Sequence, residues 1–574
     1  MMNFVVHGRY LLAALWLLQL AFAQTCAATS FGNASSSSSK RSCGSLGNRQ
    51  DIDHGNCHVH DVIVIGAGLS GLGAARMLQD DHAGIDVIVL EGSSIIGGRT
   101  KNKIIHNVTC ELGAQFVMGG QGNPVTIIID DNGLQTAQLT ELPPNFYDER
   151  NGRLLEESEA KHIVDKGNMW FLGNLLRNRV NNVFQAFLQG STPISNQSMS
   201  ESAASFFRSH LNSIKESDHH LVRWIIEEYY GRLDYGGNPK HMGTEWIGEG
   251  MVFIGEQRAL TKGFGQVPAI LARGLDVRLE QVVESIEYHH DDNDPKNKDT
   301  SLVTVTTSNG VVYQAKKLIV TVPLGVLQHN KILFSPPLPQ EKEAAIARLG
   351  MGTLEKVYMV FDTKFWPDGG INFVNDEHKE GELPSYLDVS HVTGQPTLVV
   401  FLGGEGSTRT LQTMSDEQIV EKCLEKLGIA LGNDKIHRPV ATHVTRWQED
   451  PLAMGSYSYI PVGASPRDMD EYAKPVDGVL FFAGEATIGN GYQTTHGALL
   501  SGYREAENVL QSLQGKVVQP SDTSSFAGMV SGYMDCILRP IQFLHKKLYM
   551  DLQKVRSDLE MQSLSYRVAF VRSL

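Results

Sequence analysis

The pattern of apolar residues predicts a strand, a glycine turn, a helix and a second strand near residue 60. The apolar run Val62–Ile65 leads into glycines, and a helical pattern follows from Leu72 to Gln79. Val87–Leu90 is a second short apolar run, as expected of a buried parallel strand. This order of elements predicts a doubly wound α/β unit.

Further along, helical and strand patterns alternate. Residues 125–250 are mainly helical in pattern, as in Met169–Phe187 and Ser202–Tyr230, whereas later segments read as strands before a last helix. The later segments are strands near Val277–Tyr288, Leu302–Thr307, Val311–Val322 and Gly478–Ala483, and a helix from His496 to Leu513. We therefore expect two interleaved domains: one built on the α/β unit, at 59–124, 251–329 and 441–514, and a second at 125–250 and 330–440.

Both ends of the chain differ from its middle. Arg9 and the apolar run Leu11–Phe22 predict a signal peptide over residues 1–23, with an uncleaved anchor as the alternative. Residues 24–58 are Ser-rich and predict a flexible linker. At the other end, residues 515–574 predict an amphipathic helical tail that docks on the protein itself, on an oligomer partner or on a membrane surface. We expect a secreted or secretory-pathway protein.

Composition and charge narrow the classes of partner. The 574 residues carry a formal net charge of −14, which argues against a nucleic-acid binder. The six cysteines include no CxxC pair or Cys/His cluster, so we predict no metal site. In the secretory pathway Cys26, Cys43 and Cys57 would allow a disulfide. The acceptor sequons there begin at Asn33, Asn107 and Asn196.

The glycine turn carries the fingerprint of a dinucleotide site. Gly66 allows the tight turn, Gly68 lets the backbone approach a pyrophosphate, and Gly71 lets the helix pack against the strand. The following helix directs unpaired N–H groups at the phosphates. Glu91, at the end of the second strand, is the acid expected to bind the ribose hydroxyls.

Three further segments go beyond a dinucleotide fingerprint. Gly97–Thr100 supplies Arg99 to offset phosphate charge, and Glu111–Phe116 supplies a glycine loop beside a flat ring. Later, Phe481–Thr487 ends a strand with an acid, and a helix beginning near Thr494 would direct its positive end at the cofactor. Finally, Lys356 interrupts an otherwise apolar strand.

Together these segments resemble the flavin-containing amine oxidases, and most closely the polyamine oxidase branch that includes spermine and acetylpolyamine oxidases. The resemblance covers residues 58–513 and includes the run Gly455–Gly463. It implies a Rossmann-type FAD-binding domain interleaved with a mixed-sheet and helical substrate domain. It also implies non-covalent FAD, because Ser456 stands where the monoamine branch has a flavin-linking cysteine. The residues expected to hold FAD are Gly66, Gly68, Ser70, Gly71, Glu91, Gly98, Arg99, Leu112, Gly113, Ala114, Gln115, Val283, Gly484, Glu485, Thr494 and Thr495.

The resemblance also assigns catalytic and substrate residues. Lys356 matches the family lysine that holds a water near flavin N5, with a strand-end surface lysine as the alternative. Tyr457 matches a wall of the amine cage, and Thr494 would also face the substrate. His496 is either an acid–base group or a residue that caps its helix.

One substrate position departs from the family pattern. Met118 stands where polyamine oxidases carry a histidine or glutamate, and a thioether cannot pair with an ammonium group. Glu227, Glu228 and Asp234 are candidates to replace that group, but a solvated helix face would explain them equally well.

The expected activity is FAD-dependent oxidation of a small (poly)amine. Hydride passes to flavin N5, the imine hydrolyses to an aldehyde, and O2 is reduced to H2O2. Monoamine oxidation and L-amino-acid oxidation are the alternatives within the family. A histone demethylase is disfavoured by the predicted signal peptide and by the lack of a long helical insertion. From another class, a catalytically silent flavin-binding interaction protein remains an alternative.

Overall fold

The computed structural model describes residues 58–81, 84–120, 122–138, 145–189, 196–210, 214, 218–247, 253, 256–288, 302–374 and 383–516. The predicted signal peptide, nearly all of the linker and all but two residues of the tail lie outside the described residues, as do Asn33 and the cysteines at 26, 43, 57 and 536. These predictions, and the secretory location that depends on them, therefore stay predictions. Cys110 and Cys423 are buried free thiols.

Most of the strands belong to two large sheets, and the others form short two-stranded pairs. In chain order the strands are β1 (Val59–Ile65), β2 (Val87–Leu90), β3 (Asn102–Ile105), β4 (Val108–Glu111), β5 (Thr136–Gln138), β6 (Asn145–Asp148), β7 (Arg153–Leu154), β8 (Arg258–Leu260), β9 (Asp276–Arg278), β10 (Val283–Tyr288), β11 (Val303–Thr307), β12 (Val312–Val320), β13 (Leu333–Ser335), β14 (Gly350–Gly352), β15 (Leu354–Val360), β16 (Ile371–Val374), β17 (Ser385–Asp388), β18 (Thr397–Gly403), β19 (Ala441–Val444), β20 (Tyr457–Tyr459) and β21 (Leu480–Phe482).

The helices range from single turns to one of 33 residues. The α-helices are Leu69–Asp81, Pro124–Asp131, Glu157–Gln189, Met199–His210, His219–Trp224, Gln266–Leu271, Leu324–Gln328, Gln340–Arg348, Ser390–Thr393, Gly404–Thr413, Asp416–Leu431, Pro466–Ala473 and Thr495–Leu513. A π-helical segment, Ile225–Leu233, continues directly from His219–Trp224.

The first sheet contains the predicted dinucleotide unit. Its order is β13-β10-β11-β12-β1-β2-β9, and β21 pairs with the second half of β12. Strands β9, β2, β1, β12 and β21 run parallel, so their carboxyl ends meet at one edge. Helices Leu69–Asp81 and Thr495–Leu513 pack against each other over this sheet. Ligands of open α/β sheets bind at such an edge.

The second sheet has the order β19-β15-β18-β17-β16-β6-β7. Its pairs are antiparallel except that β16 and β6 run parallel. Strand β15 lies inside this sheet between β18 and β19, and every residue from Glu355 to Val360 is buried. Lys356 therefore belongs to a strand that is buried on both faces from Glu355 onward.

The predicted α/β fold class is confirmed, with local differences. Val87–Leu90 is a strand with the predicted bounds. The stretch Val277–Tyr288 forms two strands rather than one, because the chain turns between them through Glu280, whose φ is 58°. The predicted helix Ser202–Tyr230 is divided among three helical segments. All described residues belong to one compact unit that begins at residue 57, so the proposed two-domain division stays a prediction.

Two surface features bear on location and modification. Asn107 is exposed at the turn between β3 and β4, and Asn196 is also exposed. In the part of the chain that the structure describes, no helix combines the length and apolar character needed to span a bilayer.

Candidate active site

The glycine turn after β1 has the geometry that its sequence predicts. Gly66 has a φ of 102°, which favours glycine. A Cβ at Gly71 would lie 1.9 Å from the carbonyl oxygen of Gly66, so a side chain there would collide with backbone. A Cβ at Gly68, in contrast, would meet no heavy atom within 4 Å. Gly68 thus faces open space where a ligand could approach, whereas Gly71 serves packing.

Glu91 is a buried carboxylate held against the glycine turn. One of its oxygens accepts a hydrogen bond from the Ala67 backbone N–H at 2.7 Å, and the other accepts from the Ser93 N–H at 2.8 Å. Burial raises the pKa of this carboxyl, and the two backbone bonds oppose the rise. Glu91 therefore orients the turn itself, and its bond to a ribose stays a prediction.

Arg99 and Glu485 form a partly buried ion pair that ties distant segments together. Arg99 Nη1 donates to Glu485 Oε1 at 2.8 Å and to the Ser456 carbonyl at 3.0 Å. The other oxygen of Glu485 accepts from the Ser458 hydroxyl at 2.7 Å and from the Gln493 N–H at 2.9 Å. Arg99, whose positive charge was predicted to offset phosphate charge, is thus already paired with the carboxylate of Glu485.

Lys356 lies fully inside the protein and contacts the predicted glycine loop. Its Nζ donates to the carbonyls of Glu111 and Gly113 at 3.0 and 2.6 Å, and to Gln115 Oε1 at 2.8 Å. With only 4% of the residue exposed, the alternative of a surface lysine at a strand end is wrong. The three acceptors account for the three N–H bonds of an ammonium group, so a water held by Lys356 would have to replace one of them.

Burial also shifts the pKa values of Lys356 and of its neighbour Glu111. Burial lowers the pKa of the Lys356 ammonium, and the nearby Glu111 opposes this. Burial raises the pKa of Glu111, whose Oε1 accepts from the Phe264 N–H at 2.7 Å. Because each group favours the charged form of the other, the two titrate as a pair.

A single cavity of about 1300 Å³ joins these parts. Every predicted cofactor, catalytic and substrate residue except Gly71 lines this cavity. The predicted residues that line it are Gly66, Gly68, Ser70, Glu91, Gly98, Arg99, Leu112, Gly113, Ala114, Gln115, Met118, Val283, Lys356, Tyr457, Gly484, Glu485, Thr494, Thr495 and His496. Residues from both sheets thus meet around one space.

One part of the cavity wall is aromatic and carries a carboxylate. Phe171, Tyr229, Tyr235 and Tyr457 line it together with Asp234. The Tyr457 hydroxyl donates to the Leu233 carbonyl at 3.3 Å, which orients its ring.

Of the three candidate acids Glu227, Glu228 and Asp234, only Asp234 lines the cavity. Its carboxylate is solvent-accessible through the cavity and forms no hydrogen bond or ion pair with any described residue. Surrounding protein desolvates it and raises the pKa of the carboxyl to about 7. Glu228 instead pairs with Arg232, and the buried Glu227 does not line the cavity. The sequence indicated all three acids as candidates, but only the fold shows which of them can contact a ligand in the cavity.

The helix Thr495–Leu513 begins at the cavity with Thr494 as its N-cap. Thr494 Oγ1 accepts from the Gly497 N–H at 2.9 Å and donates to the Gly491 carbonyl at 2.6 Å. The prediction that His496 caps this helix is therefore wrong. The His496 ring is buried, lines the cavity and meets Phe253 edge-on, with 5.0 Å between ring centroids.

Sequence reasoning missed Trp447, which lines the cavity, and Ser458, which lies behind it and holds Glu485. Trp447 Nε1 donates to the Leu112 carbonyl at 2.9 Å, and a Cβ at Gly113 would lie 3.3 Å from its ring. Ser458 donates to Glu485, as described above. Ser458 stands inside the run Gly455–Gly463 that carried the family resemblance, whereas no sequence signal singled out Trp447.

The cavity fits a dinucleotide with a flat ring system. Gly68 leaves open space beside the N-terminus of Leu69–Asp81, where phosphates bind favourably. The loop Leu112–Gln115 also lines the cavity. A Cβ at Gly113 would lie 1.9 Å from the Arg99 carbonyl oxygen, so this glycine lets the loop pack closely against the Arg99 segment. At the position of the flavin-linking cysteine of the monoamine branch, Ser456 lacks the thiol needed for a covalent bond to flavin.

Comparison with known proteins identifies the family. The model of the flavin containing amine oxidoreductase family matches residues 69–510. This chain belongs to that family, and FAD is its cofactor. A solved putrescine oxidase bound to putrescine shares the fold, with a TM-score of 0.62 and 20% identity over 79% of this chain and 99% of that one.

The curated relatives point to another branch than the one expected from sequence motifs. Human lysine-specific histone demethylase 2 is 30% identical over 464 residues, covering 79% of this chain and 53% of the relative. Lysine-specific histone demethylase 1 homolog 2 of Arabidopsis thaliana is 32% identical over 462 residues, covering 78% and 58%. This chain thus spans about half the length of these relatives. The family is confirmed, but the polyamine oxidase branch is not.

Proposed function

We propose that this protein oxidises a small aliphatic amine that carries a second cationic nitrogen, such as a diamine or polyamine. When bound, FAD would supply the redox chemistry, which is hydride acceptance from the carbon next to the reacting nitrogen and electron transfer to O2 to give H2O2. Water then hydrolyses the imine product to an aldehyde and an amine. The chain's own residues bind the substrate, exclude water and select the neutral form of the reacting amine.

The observation that carries the proposal is Asp234. A carboxylate on the cavity wall without a partner among the described residues attracts an ammonium group, and the low dielectric of the cavity strengthens that attraction. Its anion is the form that binds the distal ammonium of a diamine. Asp234 would thereby replace the acidic or imidazole group that Met118 lacks.

The aromatic wall favours the neutral form of the other nitrogen. Phe171, Tyr229 and Tyr457 line the same cavity, and an amine moved from water into such surroundings loses its proton more readily. A neutral nitrogen has the lone pair that assists hydride loss from its neighbouring carbon. One nitrogen would thus be held charged and the other neutral.

An L-amino-acid oxidase is less well supported. Such an enzyme needs a cation for the substrate carboxylate, and arginine is the residue best suited to it. Among the described residues that line the cavity the arginine is Arg99, whose Nη1 already donates to Glu485 and Ser456.

A second candidate substrate is a methylated lysine side chain in a protein. The names of the curated relatives favour it, since lysine-specific histone demethylases cover 79% and 78% of this chain. A lysine side chain has no second ammonium group, so this candidate leaves Asp234 without the partner proposed for it.

Anaerobic mixing tests these candidates directly. The FAD-loaded protein would be mixed with putrescine, spermidine, spermine, a simple monoamine and a methylated histone H3 peptide, and the flavin absorbance followed. We expect bleaching by diamines or polyamines at rates well above those with the monoamine. Bleaching by the peptide alone would favour the second candidate, and bleaching by none would favour a catalytically silent flavin protein.

An Asp234→Asn variant separates substrate recognition from chemistry. Losing the charged partner of a buried ammonium costs about 2 kcal/mol or more, so kcat/KM for the diamine should fall at least about 30-fold. The monoamine, which makes no such contact, should change little. Asp477→Asn makes the same chemical change at an exposed residue outside the cavity and should leave both rates unaltered. Equal losses for both amines would contradict the role of Asp234.

A further inference from the structure

Two histidines and an aspartate converge at the end of the first sheet that is remote from the cavity. His58 precedes β1 and His60 lies within it, and residues two apart project to the same side of a strand. Asp86 immediately precedes β2, and its carbonyl accepts from the Asp61 and Val62 N–H groups at 3.0 Å. Since β1 runs from here to the glycine turn, the cluster lies roughly 25 Å from Gly66.

The side chains meet at one oxygen. His58 Nε2 lies 2.6 Å from Asp86 Oδ2, and His60 Nδ1 lies 2.8 Å from the same atom. These three atoms all lie within 4.8 Å of one another, and among the described residues they form a group able to hold a metal ion. Two imidazole nitrogens and a carboxylate oxygen are common ligands of zinc.

From this geometry we infer a zinc site made of His58 Nε2, His60 Nδ1 and Asp86 Oδ2, with water in the remaining position. Around tetrahedral Zn²⁺ the ligand atoms lie roughly 3.3 Å apart, so binding requires each histidine nitrogen to move from Asp86 by about half an ångström. The side chain of His58 is 73% exposed and has room to turn. His60 is 5% exposed and already held in place by the sheet.

Neighbouring residues hold the backbone of Asp86 in place. The Asp86 backbone N–H donates to Asp61 Oδ2 at 3.0 Å, and Asp61 Oδ1 accepts from Lys316 Nζ at 2.7 Å. A fixed backbone limits the positions that the Asp86 carboxylate can take. Because Lys316 is paired with Asp61, its positive charge is offset near the proposed ion. A bound zinc would join the point where the chain enters the sheet to the loop before β2, independently of the amine-oxidising site.

The inference is tested by metal binding to the full-length, FAD-loaded protein. The protein would be stripped with EDTA, desalted and titrated with Zn²⁺ against a chromophoric chelator. We expect one equivalent to bind, with at least tenfold weaker binding in His58→Gln and in Asp86→Asn. His58 is exposed and Asn resembles Asp in shape, so both variants should fold, which flavin absorbance and the melting temperature would verify.

Control variants locate the zinc. His106→Gln changes an exposed histidine at the β3–β4 turn that is not a member of the cluster, and the variant should bind zinc as the wild type does. His54→Gln and Cys57→Ser, in the segment before the cluster, should also leave the affinity unchanged. Zinc binding that survives both His58→Gln and Asp86→Asn would overturn the inference, and so would the absence of zinc binding by the wild-type protein.

Discussion

Burial sets the chemistry of single residues in the cavity. The Lys356 amine reaches three acceptors on the segment Glu111–Gln115, so it holds this loop in position as well as lining the cavity. Burial disfavours the charged form of this amine, and the three acceptors oppose that cost. Asp234 represents the opposite case, because its carboxylate faces the cavity and pairs with no residue in the part of the chain that the structure describes. Lys356 fixes the shape of the loop before a ligand binds, whereas Asp234 is available to bind a ligand.

The Lys356→Met substitution should affect both rate and stability. It would leave the Gly113 carbonyl and the Gln115 amide oxygen without this donor, whereas the Glu111 carbonyl would keep the Tyr358 hydroxyl at 2.9 Å. We expect a cost of about 3 kcal/mol in the free energy of unfolding. With the loop beside the flavin loosened, flavin reduction and reoxidation should slow at least roughly tenfold while FAD stays bound. Stopped-flow absorbance and urea unfolding measure the two effects. Lys435→Met, at an exposed lysine, is the control. Unchanged rates in both half-reactions would reject the role of Lys356.

The raised pKa of Asp234 predicts a pH-dependent stability difference. The carboxyl titrates near 3.8 when unfolded and near 7 when folded, so between these values only the unfolded chain ionises. The stability of the wild type relative to Asp234→Asn should therefore fall as the pH rises from about 4 to 7, and then level off. Solvent access limits the change to about 1 kcal/mol.

Urea unfolding of the ligand-free wild type and Asp234→Asn at pH 4.5, 6 and 8 measures this difference. We expect the variant to gain relative stability with pH although it has lost diamine activity. A difference that is constant over this range would mean that the folded-state pKa of Asp234 is not raised.

At the scale of elements, the cofactor site is built where strand ends meet helix starts. The carboxyl ends of β1, β12 and β21 lie side by side, and helices Leu69–Asp81 and Thr495–Leu513 both begin there. Thr494 satisfies one N–H of the second helix, and the glycine turn precedes the first. The partial positive charges of both helix starts are thereby directed toward one region, which suits an anionic ligand.

Two glycine substitutions should separate folding from cofactor binding. Gly71→Ala places a methyl group 1.9 Å from the Gly66 carbonyl oxygen and should cost about 3 kcal/mol or more of stability. Gly68→Ala adds a methyl in open space, so the apoprotein should lose no more than about 1 kcal/mol. However, that methyl occupies the space predicted for the pyrophosphate, so FAD affinity should fall at least about tenfold.

Thermal unfolding of the apoproteins and FAD titration by flavin fluorescence measure these effects. Gly173→Ala, at an exposed helical glycine with nothing within 4 Å of the added methyl, is the matched control. If Gly68→Ala bound FAD as tightly as the wild type, the phosphate position proposed here would be incorrect.

At the scale of the whole molecule, the two large sheets contribute to one cavity. Ile65 and Thr321 lie at the end of strands of the first sheet, whereas Leu354, Lys356 and Phe401 belong to the second. A ligand that fills this space contacts both sheets and binds only the folded chain. Its binding free energy therefore adds to the stability of the fold.

Removing FAD should consequently lower the melting temperature. At a free FAD concentration about 100 times the dissociation constant, the cofactor adds about 2.7 kcal/mol to stability. Differential scanning calorimetry of deflavinated protein, before and after FAD is restored, measures the shift. Adding riboflavin, which lacks the phosphates, should restore less stability at the same concentration. Identical melting temperatures with and without FAD would contradict a cofactor site shared by both sheets.

The sequence alone determined the parts that depend on local backbone geometry and on burial pattern. The strand–turn–helix–strand unit, the demand for glycine at positions 66 and 71, the family and the strand around Lys356 were all predictable from it. Pleated strands and tight turns restrict residue types locally, so these features can be predicted before the rest of the fold is known.

Only the tertiary structure decided which distant groups meet. Arg99 pairs with Glu485 across 386 positions, and Lys356 reaches Gln115 across 241. Neither the choice of Asp234 over Glu228 for the cavity nor the convergence of His58, His60 and Asp86 has a local signature. Hydrogen bonds and charge interactions act over a few ångströms in space, whatever the separation along the chain, so the fold must bring their partners together before these roles can be assigned.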